Sequence, residues 1–226
     1  VGRLAPKAVI GRVSLYLRQL EAFQAQGRST ISSSQLGAAL GITDAQVRKD
    51  LAFFGQFGRP GRGYDIDDLM LALRRILGID RVWPTAIIGL GNMGQALVGY
   101  RGFSSRGFQI VALFDNDPHK IGLRFDHLVV QPIEELATTV SSRGIILGIL
   151  AVPADAAQRV AEHAVACGIQ GLMNFAPLPL SVPDPISVVS VDLSVQLEHL
   201  AYKVQNTRSG RAAARSTRLP DRGPGC

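Results

Sequence analysis

The feature that most constrains this chain is the run Gly89-Leu90-Gly91-Asn92-Met93-Gly94. It follows an apolar, β-branched stretch at 85–88 and opens a helical pattern through Gln95, Ala96, Leu97 and Val98. A G-x-G-x-x-G between strand and helix is a dinucleotide-binding fingerprint. Gly89 permits a tight turn, Gly91 lets backbone approach a pyrophosphate, and Gly94 lets the helix pack on the strand. The start of the helix offers N–H groups to phosphate. A second strand, 109–115, ends on Asp115, 21 residues beyond Gly94, where a carboxylate accepts both ribose hydroxyls. A carboxylate there repels a 2′-phosphate and no Arg follows at once, so NAD(H) is expected rather than NADP(H). The competing reading has Asp115 merely capping a turn with Asn116, Asp117 and Pro118.

Further strands are expected at 145–152, 169–174 and 187–191, alternating with helical patterns. That alternation makes an α/β, Rossmann-type parallel sheet with helices on both faces. A last helix is expected over 192–205, with Leu193, Leu197, Leu200 and Val204 on one apolar stripe. From Asn206 onward Arg, Ala, Ser, Pro and Gly dominate without an apolar period, and disorder is expected. Arg81-Val82-Trp83-Pro84 reads as a hinge, because Pro84 disfavours helix at Trp83 and ends the preceding helical segment there. The expected domains are 1–80, 81–191, the helix 192–205 and the tail 206–226.

The first of these domains has the pattern of a helix-turn-helix. Ser32 with Gln35, and Thr43 with Gln46, form two capping boxes, each satisfying N–H donors that a helix start leaves open. The first helix turns Leu36, Ala39 and Leu40 inward and ends at Gly41, which suits a left-handed cap. The second turns Val47, Leu51 and Phe54 inward. Its other face presents Gln46, Arg48 and Lys49 near the end that a recognition helix pushes into the major groove. The Gly-rich run that follows, to Tyr64, reads as a wing with Arg59 and Arg62 at its tip, aimed at phosphates or a minor groove. The expected DNA-contacting set is Lys7, Ser34, Gln46, Arg48, Lys49, Arg59 and Arg62.

Charge distribution supports the division. Residues 1–64 carry nine Lys/Arg against three acids, 65–205 ten against fourteen, and 206–226 five against one. A basic first segment beside a mildly acidic remainder suits a polyanion partner for one part only, although a solvated basic surface gives the same count. No apolar run approaches the ~18 residues needed to span a bilayer. There is no charged-then-apolar leader pattern, and the two cysteines, Cys167 and Cys226, make no disulfide framework. No membrane association and a reducing cytoplasm are therefore expected.

Nothing in the pattern asks for catalysis. His119, His127, His163 and His199 sit in turns or helical stretches, away from strand ends, and Cys167 closes an apolar helix face. After the fifth strand only one helix and a tail remain, too little for a substrate domain. The alternative reading is an NAD-dependent dehydrogenase with an accessory helical domain.

The chain resembles the Rex family of redox-sensing repressors from residue 7 to about 205. The resembling segments are Tyr16-Leu17-Arg18, Gln46 to Leu51, Gly55 to Tyr64, Gly89 to Gly94, Phe114 to Pro118, Asn174-Phe175-Ala176-Pro177 and Val191-Asp192. The resemblance implies a homodimer whose last helix is domain-swapped beside the partner's dinucleotide domain. It implies repression at palindromic, double-stranded operator DNA when NAD⁺ dominates, and release when NADH rises. It further implies a switch among Arg18, Tyr100 and the partner chain's copy of Asp192, and places Pro153, Asn174, Phe175, Ala176 and Pro177 around the nicotinamide. The chain departs from the family in carrying Leu193 where an aromatic commonly follows the aspartate.

Overall fold

Hydroxyl caps start the two central helices of the first unit. In the computed structural model, which describes residues 5–58 and 61–216, Ser32 Oγ accepts from Gln35 N at 3.1 Å. Gln35 Oε1 accepts from Ser32 N at 3.0 Å, completing the capping box. Thr43 Oγ1 accepts from Gln46 N at 3.2 Å, but the second expected box is only half formed. The Gln46 amide donates instead to Asp50 Oδ1 at 2.7 Å. A charge-assisted bond to a buried carboxylate outweighs a neutral one at an exposed cap.

These caps set α2 (Ser33–Leu40) and α3 (Asp44–Ala52), joined through Gly41 at φ 66°. Before them run α1 (Lys7–Ala25) and β1 (Thr30–Ile31); after them come β2 (Tyr64–Asp65) and α4 (Ile66–Ile76). Strands β1 and β2 pair antiparallel and close the base of the glycine-rich wing. Arg59 of that wing lies outside the described residues. The inward face of α2 differs from expectation. Ala39 is exposed and Gly37 is buried, because the Ile42 carbonyl lies 2.4 Å from where a Cβ on Gly37 would stand. The helix before the hinge ends at Ile76, well short of Trp83, with Gly78 following at φ 69°.

One carboxylate ties this unit together. Asp50, 2% exposed, accepts from Arg12 Nε at 2.5 Å and Nη2 at 2.8 Å, from Tyr16 Oη at 2.8 Å and from the Gln46 amide. Burial alone would raise its pKa, but the donors from Arg12, Tyr16 and Gln46 prevail and hold it below the ordinary aspartate value. Around this network Tyr16, Leu17, Leu20, Leu36, Val47, Ile66 and Leu73 form an apolar core of their own.

The second unit is a seven-stranded sheet with its own core, including Ala86, Ile88, Phe114, Leu136, Leu150, Ala161 and Leu172. Its elements in order are β3 (Trp83–Ile88), α5 (Asn92–Val98), β4 (Phe108–Asp115), β5 (Arg124–Phe125), β6 (Leu128–Pro132), α6 (Leu136–Arg143), β7 (Leu147–Leu150), α7 (Ala154–Ala166), β8 (Gly171–Asn174), β9 (Ser187–Ser190) and α8 (Leu193–Ser216). The strand order is β5-β6-β4-β3-β7-β8-β9. Strand β5 runs antiparallel to β6, while the β4–β6, β3–β7, β7–β8 and β8–β9 pairs are parallel. The order reverses between β3 and β7, which opens a crevice at the carboxyl ends of those strands.

All five expected strands are present. The sequence pattern did not reveal β5 and β6, whose short run ends at Pro132 and is too brief to show a period. Helix α8 continues to Ser216, beyond the expected end at Gln205. Ala and Arg have high intrinsic helix propensity, which composition read as a polar tail conceals. The compact units divide between Trp83 and Pro84, but the first unit also takes in Arg101–Gln109, a departure from the continuous 81–191 domain expected.

Replacing Asp50 with Ala leaves Arg12 and the Tyr16 hydroxyl without their acceptor, and should cost about 2–4 kcal/mol of reader stability. Urea unfolding followed through Trp83, the chain's one tryptophan, measures this. A loss under about 1 kcal/mol would show that the carboxylate does not hold the helices. Because the folded pKa of Asp50 is depressed, its contribution is present above the unfolded value near ~3.9 and is lost as pH falls through the folded pKa.

Candidate functional site

The three fingerprint glycines have different local reasons. Gly89 sits at φ 96°, and a Cβ there would stand 2.6 Å from the Ala151 carbonyl. A Cβ on Gly94 would lie 1.9 Å from the Gly89 carbonyl, so any side chain would push α5 off the turn. Gly91 is otherwise. Its φ is −71° and nothing lies within 4 Å of its missing Cβ. The fold therefore demands glycine at 89 and 94 but not at 91, where an open cradle admits a ligand's close approach. No side chain caps the start of α5. Asn92 and Met93 are exposed at the turn. Leu90 is fully buried and its N–H donates to Asp115, so it shapes the turn from beneath.

Asp115 locks this turn. Its Oδ2 accepts from Leu90 N at 2.7 Å and from Lys120 Nζ at 3.1 Å, and its Oδ1 accepts from Asp117 N at 2.9 Å. Burial pushes its pKa up, but the N–H groups of Asp117 and Leu90 and the Lys120 ammonium outweigh it, and the pKa is lowered. Sequence reasoning foresaw the turn contacts of Asp115 as an alternative to ribose binding; the carboxylate already makes the former. Lys120 was missed, since its only signal is a position five residues on in a turn. The groove here has a volume of about 500 Å³ and is lined by Gly89, Asp115, Ile133, Val152, Pro153, Arg159 and His163, among others.

Pro153 follows β7 and faces that groove. The neighbouring loop after β8 is built by Asn174, which is fully buried. Its Oδ1 accepts from Ala176 N at 2.9 Å, and its Nδ2 donates to Leu178 O at 2.8 Å and Ala176 O at 3.2 Å. Asn174 thus positions Phe175, Ala176 and Pro177 and has no N–H left for a ligand. Phe175 is half-buried and Pro177 exposed. Cys167 packs against the sheet core, and burial raises its thiol pKa.

On the reader, Lys7, Ser34, Arg48, Lys49 and Arg62 are all exposed. Arg48 Nη1 donates to Asp44 Oδ2 at 2.6 Å and Ser33 Oγ at 3.1 Å, which holds the guanidinium at the N-terminal end of α3. Gln46 is half-buried against Asp50. Of the switch set, Arg18 is exposed on α1 of the first unit, whereas Tyr100 and Asp192 belong to the second. Asp192 has a local task that the sequence reading missed. Its Oδ1 accepts from the Ser194 hydroxyl and from the N–H groups of Ser194 and Val195, capping α8. The Ser194 hydroxyl, followed by that residue's N–H, lowers its pKa. Among the described residues no group of His, Cys, Asp or Glu forms a metal site, and no helix is long and apolar enough to cross a membrane.

A helix-turn-helix with a wing, joined to a doubly wound sheet with a dinucleotide turn, defines a DNA-binding regulator that responds to a nucleotide. Residues 5–52 match the family described as "Putative DNA-binding protein N-terminus", and residues 80–178 match the CoA binding domain. The redox-sensing transcriptional repressor Rex of Carboxydothermus hydrogenoformans is 46% identical over 200 residues, covering 88% of this chain and 96% of that protein. Rex of Streptomyces coelicolor is 40% identical over 97% of this chain and 90% of its own. Among solved structures, RSP with β-NAD⁺ and operator DNA superposes with a TM-score of 0.87 at 35% identity, covering 95% of this chain and 99% of that one. RSP with β-NADH gives 0.85 at 34% identity, covering 93% and 99%. The chain belongs to the Rex family of redox-sensing transcriptional repressors.

Gly94→Ala should unfold or distort the turn, lowering stability by at least about 2 kcal/mol, as overpacking does. Gly91→Ala should cost less than about 1 kcal/mol, the small change expected at a helix cap. Calorimetric melting of the two variants checks this contrast, and equal losses would remove the case for an open cradle at 91.

Proposed function

We propose that this chain represses transcription as a homodimer on palindromic, double-stranded operator DNA, and leaves the operator when NADH displaces NAD⁺. The observation that carries this reading is the open cradle at Gly91 beside the ionised Asp115, in one chain with a winged reader. Gly91 would admit the pyrophosphate, and Asp115, freed in part from its turn contacts, would take the ribose hydroxyls. RSP has been solved with both redox forms of the nucleotide and with operator DNA, which supports the same assignment here. The proposed divisions are a reader over 1–80 to which the segment Arg101–Gln109 is joined, a dinucleotide domain over the rest of 81–191 and a dimerisation helix from 192.

Helix α8 supports the dimer. Leu193, Leu197, Leu200 and Val204 are 45–67% exposed, and Tyr202 beside them is 69% exposed. An apolar stripe left in water gives a helix no tertiary stabilisation, so a second copy is the natural cover. In this reading α8 swaps onto the partner's dinucleotide domain, and Leu193 contributes dispersion where the family commonly has a ring. Arg48, Lys49, Lys7, Ser34 and Arg62 would meet DNA, with Gln46 set by Asp50. Lys7, Arg48, Lys49 and Arg62 add salt-dependent phosphate attraction. The protein acts in the cytoplasm without turning over its nucleotide, and steady NADH absorbance with small carbonyl compounds is the check on that point.

The test is an operator titration at fixed salt, with NADH and NAD⁺ in separate series. NADH should weaken binding about a hundredfold, equivalent to ~2.7 kcal/mol of coupling. No difference between the two nucleotides would overturn redox sensing. Arg48→Ala should lower operator affinity about tenfold or more while leaving NADH affinity intact, the loss of ~1–3 kcal/mol expected for a specific contact.

For the switch, Asp192→Asn is more informative than Asp192→Ala. Asn keeps the α8 cap and removes only the charge. It should blunt NADH-induced release while sparing dimerisation and nucleotide binding, and normal release would exclude an Asp192 switch.

A further inference from the structure

The segment Arg101–Gln109 is the short connection between the fingerprint helix and the strand that ends at Asp115, yet it packs as part of the reader. Its anchor is Arg106. Nη1 and Nη2 of Arg106 donate to the two carboxylate oxygens of Glu21 on α1, at 3.0 and 2.7 Å. Arg74 of α4 donates to the same carboxylate at 2.6 Å. Glu21 and Arg106 side chains are only 28% and 21% exposed, and the fork-on-carboxylate geometry fixes orientation as well as distance. Backbone reinforces the anchor, since Gly107 O accepts from Trp83 N at 2.7 Å.

Helix α1 carries a second clamp. Arg12 grips Asp50 of the recognition helix. Arg12 and Glu21 are nine residues apart, which on a helix is about 13 Å along the axis and roughly half a turn around it. One rigid helix thus holds the recognition helix on one face. On the opposite face it holds the connection between the two nucleotide-binding elements.

We infer that Glu21 and Arg106 are positioning residues through which the nucleotide state reaches the recognition helix, with α1 as the rod between the two clamps. The inference rests on the proposed NADH response. A displacement of α5 or β4 pulls on both ends of a nine-residue segment that can follow only by moving α1. A merely structural anchor would affect stability alone. A coupling clamp affects the ratio of operator affinities with and without NADH.

The experiment measures operator and NADH dissociation constants for the full-length wild type, Glu21→Gln, Arg106→Gln, their double variant, Arg106→Lys and Arg74→Gln. Each affinity measured alone should stay within about threefold of wild type in Glu21→Gln and Arg106→Gln, while NADH-induced weakening of operator binding shrinks at least about tenfold. The double variant should be no worse than either single, as for two members of one interaction. Arg106→Lys, which keeps charge but loses the fork, should recover part of the response. Arg74→Gln, which leaves the forked pair intact, should keep it. An unchanged ratio in both single variants overturns the inference, and so does a loss of operator affinity in the absence of NADH. If the wild type shows no NADH response, the underlying functional reading fails instead.

Discussion

An ionised carboxylate taken out of water must be met by donors, and this requirement shapes both units of the chain. Asp50 gathers Arg12 and Tyr16 from α1 and Gln46 from its own helix. Asp115 gathers Leu90 from the glycine turn and Asp117 and Lys120 from the turn after its strand. In each case burial opposes the charge and the donors prevail. The acids decide which segments meet. Asp50 fixes the recognition helix on α1, and Asp115 fixes the glycine-rich turn. Apolar packing supplies most of the stability around them but would tolerate small rotations that these directional bonds do not.

What sequence reading recovered depended on the range of the interaction. The Ser32 cap, the left-handed Gly41 and the three fingerprint glycines are local, so their spacing announces them. The alternation of strand and helix likewise gave the sheet. Asp50 was invisible because its main partners lie 34 and 38 residues away, and an Asp beside Arg48 and Lys49 in a helix looks like solvated charge. Gln46 shows the consequence. Its spacing from Thr43 fits a capping box, but a long-range carboxylate competes for its amide and wins. Asn174 was read with the nucleotide site, although its amide is consumed in shaping its own loop. The motif marked a loop and could not say which of its residues face outward.

The end of the chain illustrates a different limit. The stripe on α8 was legible as a 3.6-residue period, but period alone does not say what covers it. The structure leaves Leu193, Leu197 and Leu200 more than half exposed. An apolar stripe left in water gives such a helix no tertiary stabilisation. Asp192 adds to that helix a cap as well as a charge, and a single residue with both tasks ties the start of the helix to its electrostatics.

In the proposed function the glycine turn and Asp115 would meet parts of the nucleotide that are identical in its two redox states. Equal binding to both forms, however tight, shifts no equilibrium. On that proposal the anchoring residues would give occupancy, and discrimination would have to arise at the ring end of the nucleotide. A difference sensed there changes DNA binding only if it is carried by elements that resist gradual deformation. Loops with few directional bonds would absorb it. The forked Glu21–Arg106 pair and the four-donor Asp50 site are poor absorbers, because a guanidinium fork or a buried carboxylate loses most of its interaction over a small misalignment. Their presence at opposite faces of α1 favours a reader that moves as a body over one that loosens.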